Sequence, residues 1–146
     1  MTRADDAVGD PFGAHRVLEP SGSLPQAAAR VDNDLSRVFE SELLIDVETL
    51  NVDAASFRQM EEATAGEGTD GVARLVRETV AKRGKQHNPV TGSGGMLLGR
   101  VARIGSAREG DTAKVGDRIA TLVSLSLTPL RLDSIGAVRA PSAQLD

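Results

Sequence analysis

The sequence predicts a mainly β domain with two helices near its middle. Three observations support this fold class: an alternating, β-branched segment at 42–52, apolar residues at helical spacing between 53 and 84, and strand-like segments from Met96 onward. Strands repeat every two residues and helices every 3.6, so a change of period marks a change of element. With 146 residues, the chain has the size of one domain.

The first 40 residues are rich in Pro, Gly, Ser and Ala and show no sustained period. They are predicted to form an N-terminal arm with extended segments over 1–40, with a short helical possibility at 26–31. The main domain is predicted over 41–146. Its first strand covers 42–52, where apolar and polar residues alternate.

Asp53 follows that strand and is placed to cap a helix that begins at Ala54 and ends at Gly66 or Gly68. A second helix is predicted from a cap at Asp70 to Gly84. Its apolar residues recur three and four positions apart, at Val72, Leu75, Val76 and Val80.

Two strands are predicted in the last third of the chain. One covers Met96 to Ile104 and the other Arg118 to Leu130, where Leu and Val alternate with Ser and Thr. Pro129 suggests that this last strand leaves the sheet or lies at its edge. The apolar residues at 122–130 could also form the interface of a homo-oligomer.

Composition excludes several function classes. The net charge is −4, from 17 basic and 21 acidic residues, with no block of like charge that could coat a nucleic acid or an anionic membrane. The absence of cysteine excludes disulfides, thiolate zinc sites and a thiol nucleophile. No apolar run approaches the roughly 18 residues of a membrane-spanning helix, and no signal core is present. A cytoplasmic protein without nucleic-acid or membrane partners is predicted.

The most informative segment is the Gly-rich loop at 87–99. Its Gly92-Ser93-Gly94 begins like a dinucleotide fingerprint, but Leu97 stands where the third glycine should be, and a strand follows instead of a helix. The same context argues against a nucleophilic serine at Ser93. We expect these glycines to serve tight turns and close backbone packing.

Imidazole could come only from His15 and His87, which lie far apart without an acid at ligand spacing, so no metal site is predicted. A lone histidine on such a loop is more often structural than catalytic. Hydroxyls and amides suit a polar, zwitterionic ligand, but solvated turns and strand faces explain them equally well. These residues are Asn88, Thr91, Ser93, Ser124, Ser126 and Thr128.

Four segments resemble the N-terminal barrel domain of the medium-chain dehydrogenase superfamily: 44–56, 88–92, 99–105 and 114–120. Longer strings at 45–53, 83–96 and 120–130 more narrowly resemble the L-erythro-3,5-diaminohexanoate dehydrogenase family of lysine fermentation. The resemblance covers nearly all of 15–146. It implies a GroES-like, partly open β-barrel over 41–146, the substrate half of such an enzyme.

The resemblance implies oxidative deamination of 3,5-diaminohexanoate to 5-amino-3-oxohexanoate, with release of ammonia and hydride transfer to NAD or NADP. A Rossmann domain would hold most of that coenzyme, and it is expected to be absent from this chain. The alternatives are a noncatalytic GroES-like binding fragment and a zinc-free medium-chain reductase for another substrate.

Zinc-dependent members of the superfamily have their catalytic cysteine where Asp53 lies, so the resemblance implies a zinc-free mechanism. Asp53 becomes the candidate catalytic carboxylate, with helix capping as an equal alternative. His87 is the candidate proton acceptor. The candidate substrate-binding residues are Asn88, Thr91, Ser93 and Ser124.

Overall fold

The computed structural model describes residues 7–146. Its helices and strands follow the predicted order, with short strands added near both ends of the described chain. They are β1 (Val17–Glu19), β2 (Arg30–Val31), β3 (Leu43–Asn51), α1 (Ala54–Ala63), α2 (Gly68–Arg83), β4 (Met96–Ile104), β5 (Arg118–Ala120), β6 (Val138–Arg139) and β7 (Gln144–Leu145).

The main sheet has five antiparallel strands in the order β5-β4-β3-β7-β6, and β1 pairs with β2 in a separate ribbon. The long central pair joins β3 to β4, from Leu43 opposite Ile104 to Asn51 opposite Met96, with two irregularities of register. Over residues 7–146, β5 and β6 remain edges, so the sheet does not close into a barrel. The predicted mainly β fold with two helices is confirmed.

A mostly aliphatic core joins the two helices to the sheet. Burial of these side chains supplies the main favourable term in folding. The core contains Leu50, Val52, Phe57, Met60, Val72, Val76, Val80, Leu97, Leu125, Leu130 and Leu145. It fixes the start of α1, which directly follows β3, against the rest of the domain.

An ionic cluster ties the N-terminal arm to the start of β3. The buried Arg16 guanidinium donates from Nε and Nη2 to the two carboxylate oxygens of Glu42, each at 2.8 Å. His15 Nε2 lies 2.7 Å from the same carboxylate. Burial raises the pKa of Glu42, but the hydrogen bonds from Arg16, Phe39 and His15 outweigh it and lower that pKa to about 2. The arm is therefore an integral part of the domain.

The predicted helix at 26–31 is wrong. The N–H groups of Ala27 and Ala28 both bond to the carbonyl of Leu24, and the chain then extends into β2. A single turn forms because Arg30 and Val31 pair with β1, which requires extended backbone.

The start of α2 also differs from the prediction. The helix begins at Gly68 after Glu67, and Asp70 lies inside its first turn instead of at the cap. A carboxylate there still faces the positive end of the helix dipole. The predicted end at Gly84 is confirmed, since this residue has a left-handed φ of 71°. The first helix ends at Ala63, earlier than predicted.

The predicted strand from 118 to 130 is wrong beyond Ala120. The sequence Leu125–Leu127 forms a 3₁₀ turn, and the Ser124 hydroxyl accepts from the N–H of Ser126. That side-chain hydrogen bond offers the backbone an alternative to the strand ladder. The alternation of Leu and Ser was therefore not the signature of a two-faced strand. In residues 7–146, no helix has the length and apolarity needed to cross a bilayer.

Candidate functional site

Asp53 lies at the junction of β3 and α1 and caps the helix as predicted. Its Oδ1 accepts the N–H of Ser56 at 3.0 Å. The other oxygen, Oδ2, is buried and has no hydrogen-bond partner among the described residues. The cap role thus uses one carboxylate oxygen, and the second accepts no hydrogen bond from the described residues.

The loop that precedes β4 folds against this helix start. The hydroxyls of Thr91 and Ser56 lie 2.6 Å apart, and Ser93 is close enough to Asp53 to affect the pKa of its carboxyl. Burial raises the pKa of Asp53, but interactions with Ser56 and Ser93 outweigh it, and the net shift is downward. The structure therefore brings Asp53, Thr91 and Ser93 together, with the carboxylate ionised at neutral pH.

Asn88 shapes this loop. Its buried Oδ1 accepts the N–H groups of Val90 at 2.8 Å and Thr91 at 3.1 Å, and its Nδ2 donates to Gln59 at 3.0 Å. Its backbone N–H donates to the carbonyl of Ser93. Asn88 was predicted to bind substrate, but its side chain forms hydrogen bonds that stabilise the turn.

His87 is the buried candidate proton acceptor, with 9% of its surface exposed. Its Nδ1 has no hydrogen-bond partner among the described residues. Burial, followed by the positive charges of Lys85 and Arg83, lowers the pKa of His87 to about 4, while the backbone of Gly92 acts in the opposite direction. The imidazole is therefore neutral at pH 7 and keeps an unused ring nitrogen.

The Ser124 hydroxyl forms its hydrogen bonds within its own 3₁₀ turn. It lies 2.8 Å from the hydroxyl of Ser126, which donates to Gln26 Oε1 at 2.6 Å. The connection to the loop passes through the backbone, where the N–H of Leu125 donates to the carbonyl of Gly95 at 2.9 Å. The turn that contains Ser124 is thus bonded to the end of the loop through its backbone.

Two buried polar residues were missed by the sequence analysis. Lys85 and Gln86 are both fully buried, although they directly follow the helix-ending Gly84. The amide Nε2 and Oε1 of Gln86 have no partner among the described residues. Sequence carries little signal for such burial, because lysine and glutamine after a helix are usually solvated.

An open cleft of about 700 Å³ lies beside the start of α1. One wall is α1 and the other is the loop at 140–143. Its charged lining residues are Asp53, Arg58, Glu61 and Glu62. A ligand that carries both ammonium and carboxylate groups would find charges of both signs in this cleft.

The glycines at the loop's end serve packing. Gly95 has a φ of 111°, and a Cβ there would lie 2.1 Å from the carbonyl oxygen of Asn51. A Cβ on Gly94 would lie 2.5 Å from the backbone nitrogen of Ser126. Because strand β4 follows at Met96, the loop lacks the helix N-terminus of a nucleotide-phosphate cradle. Over residues 7–146, no three His, Cys, Asp or Glu residues cluster as metal ligands.

Comparison with known proteins identifies the class. A family model described as the L-erythro-3,5-diaminohexanoate dehydrogenase N-terminal domain matches residues 15–146. Two curated relatives, from Acetoanaerobium sticklandii and Fusobacterium nucleatum, are named L-erythro-3,5-diaminohexanoate dehydrogenase. Each is 58% identical to this chain over 125 residues, which cover 85% of the chain. The chain is thus similar to the N-terminal domain of a dehydrogenase.

It belongs to the L-erythro-3,5-diaminohexanoate dehydrogenase family, as the sequence resemblance predicted. The matched residues span 36% of the length of each relative. The match includes β3, α1 and the whole loop that carries His87, Thr91 and Ser93.

Proposed function

We propose that this chain forms the substrate side of an NAD(P)-dependent L-erythro-3,5-diaminohexanoate dehydrogenase with a GroES-like fold. The reaction would oxidise a substrate amine to an imine, which water hydrolyses to the 3-oxo product and ammonia. The observation that carries this proposal is the 58% identity to two proteins of that name, together with the family match over 15–146.

Asp53 is suited to orient a substrate ammonium group. Its carboxylate is ionised, and its Oδ2 has no partner among the described residues. An ammonium hydrogen bond to a carboxylate is charge-assisted, so it is stronger than a neutral one. Ser56 and Thr91 keep the carboxylate in position through the cap and the hydroxyl contact. Ser93 lies close enough to Asp53 to help lower the pKa of its carboxyl.

His87 is suited to accept a proton from the amine before its carbon is oxidised. A substrate ammonium must lose a proton to provide a nitrogen lone pair that can form the imine. The neutral imidazole has an unused Nδ1 within the same loop. In this proposal Asn88 and Ser124 do not contact the substrate; they stabilise the conformation of the loop that carries His87.

Hydride acceptance is the chemistry that a nicotinamide coenzyme would supply. The described residues do not fit its phosphates, because the Gly-rich loop enters β4 and not a helix. We therefore assign NAD or NADP to the part of the longer relatives outside the matched region. This chain's own contribution is binding, orientation and proton acceptance.

Binding of the diamino acid by this chain tests the proposal. Titration with L-erythro-3,5-diaminohexanoate should shift the amide NMR signals of residues 53–56 and 88–93. Asp53→Asn should weaken binding about tenfold, as loss of one charge-assisted contact of roughly 1.4 kcal/mol implies. Asp70→Asn, which removes an exposed carboxylate on α2, should bind normally. Equal shifts with hexanoate, which lacks both amines, would contradict the proposed substrate class.

A further inference from the structure

The strap, defined here as residues 24–29 of the N-terminal arm, lies against the C-terminal end of α2 and the residue that follows Gly84. Beneath it lies Lys85, whose side chain is fully buried. The Lys85 ammonium donates to the carbonyl of Pro25 at 2.5 Å and to that of Gln26 at 3.4 Å. A buried lysine thus holds the strap by its backbone.

One further side chain, that of Arg83, holds the same strap. The Arg83 guanidinium donates from Nε to the carbonyl of Ala29 at 3.2 Å and from Nη2 to that of Ala28 at 3.4 Å. Its Nη1 donates to the carbonyl of His87 at 2.9 Å. Arg83 therefore joins the strap directly to the residue proposed to accept the substrate proton.

The charge on Lys85 is costly for stability. Among the ion pairs of residues 7–146, none places a carboxylate on Lys85. Hydrogen bonds to carbonyl oxygens offset only part of the desolvation cost of a buried ammonium group. Replacement of buried charges by apolar groups of similar size is often neutral or stabilising. A methionine would fill the same space without desolvation of a charge. Stability alone therefore does not explain a lysine at this position.

We propose that Lys85 is a positioning residue that acts through His87: it holds the strap that Arg83 links to the His87 carbonyl, and it sets the electrostatic surroundings of the imidazole. The inference rests on the proposed function, in which His87 accepts the substrate proton. Lys85 itself contacts the strap and not the open cleft beside α1.

The electrostatic part of the proposal follows from the groups that face His87. The cations Lys85 and Arg83 lower the pKa of His87, and the backbone of Gly92 raises it. Together with burial, the two cations lower the pKa of His87 to about 4, which keeps the ring unprotonated at neutral pH. Burial and Arg83 in turn lower the pKa of Lys85 to about 8.

Histidine NMR of the 146-residue chain tests this directly, because His15 and His87 are its two histidines. Signal assignment can use His87→Gln. In Lys85→Met, the pKa of His87 should rise by about one pH unit, since one nearby positive charge is lost. Lys82→Met is the matched control, because it removes an exposed lysine from the same helix end. It should move that pKa by less than about 0.3 unit.

Hydrogen exchange measures the mechanical part of the proposal. The amides of Ala28 and Ala29 should lose at least about tenfold of their protection in Lys85→Met and keep it in Lys82→Met. An unchanged pKa of His87 together with unchanged strap protection in folded Lys85→Met would overturn the proposal.

If Lys85→Met does not fold, the unmodified chain still gives a test. Strap protection factors should fall between pH 7 and 9.5, as Lys85 loses its proton, and constant factors would overturn the proposal.

Turnover separates this inference from the proposed function. In a full-length family enzyme carrying these residues, the acidic limb of the kcat/KM profile should move up by about one pH unit in Lys85→Met. An unmoved limb would contradict positioning through His87. Absence of turnover in the parent enzyme would instead refute the proposed function, and the histidine NMR result would still decide the role of Lys85.

Discussion

Substitution of His87 should change how the domain's stability depends on pH. The folded-state pKa of about 4 lies below the ordinary value of 6.5, so the unfolded chain binds the proton more readily. His87 therefore favours folding fully above pH 6.5 and progressively less as the pH falls towards 4. At about 1.4 kcal/mol per pKa unit, the loss between pH 7 and 4.5 is about 2 kcal/mol.

Urea unfolding at pH 7, 6, 5 and 4.5 measures this loss in the wild type and in His87→Gln. Glutamine does not titrate, so the variant should become more stable relative to the wild type by about 2 kcal/mol over this range. A constant difference between the two proteins would show that His87 titrates equally in both states. That result would refute the assignment of a buried, neutral imidazole.

Three further substitutions test other parts of the account. Asp53→Asn in a full-length family enzyme should lower kcat/KM at least about tenfold, measured by NAD(P)H absorbance, with Tm unchanged within about 3 °C; full activity would leave Asp53 only its cap role. Arg16→Met should cost about 3 kcal/mol in urea unfolding, because it leaves the Glu42 carboxylate half-buried without its main partner, and a cost below about 1 kcal/mol would contradict the cluster. Gly95→Ala should cost at least about 2 kcal/mol because its Cβ would meet the Asn51 carbonyl, whereas a neutral effect would exclude that close approach.

Local patterns predicted the long elements well. The alternation at 42–52 corresponds to β3, and Asp53 caps α1 because its carboxylate can reach the N–H of Ser56. Gly84 ends α2 because glycine tolerates the left-handed backbone there. The two helix ends depend on interactions between near neighbours in the sequence, and the strand is marked by its alternation of apolar and polar residues, so a single sequence records all three.

Elements decided by distant contacts were predicted less well. The 3₁₀ turn around Ser126 is held by the nearby Ser124 hydroxyl and also by a hydrogen bond to the distant Gln26, so the alternating segment does not form a strand. Lys85 is buried because the strap at 24–29, about 60 positions away, folds over it. Tertiary packing of this kind overrides local propensity and leaves little mark in the sequence.

The roles of the candidate site residues stay predictions. Asp53 and Thr91, which the sequence analysis named, both contact Ser56 at the start of α1. Asn88 and Ser124 have internal partners that only the folded loop reveals. A polar side chain in a sequence does not show whether its hydrogen bonds will go to the protein or to a ligand.

Turnover by a chimera tests the central claim most directly. The matching N-terminal region of the Acetoanaerobium sticklandii relative would be replaced by this chain, to which it is 58% identical over 125 residues. We expect the chimera to reduce NAD or NADP when L-erythro-3,5-diaminohexanoate is supplied. A chimera that folds and binds the coenzyme but does not oxidise the diamino acid, while the parent enzyme does, would contradict the account.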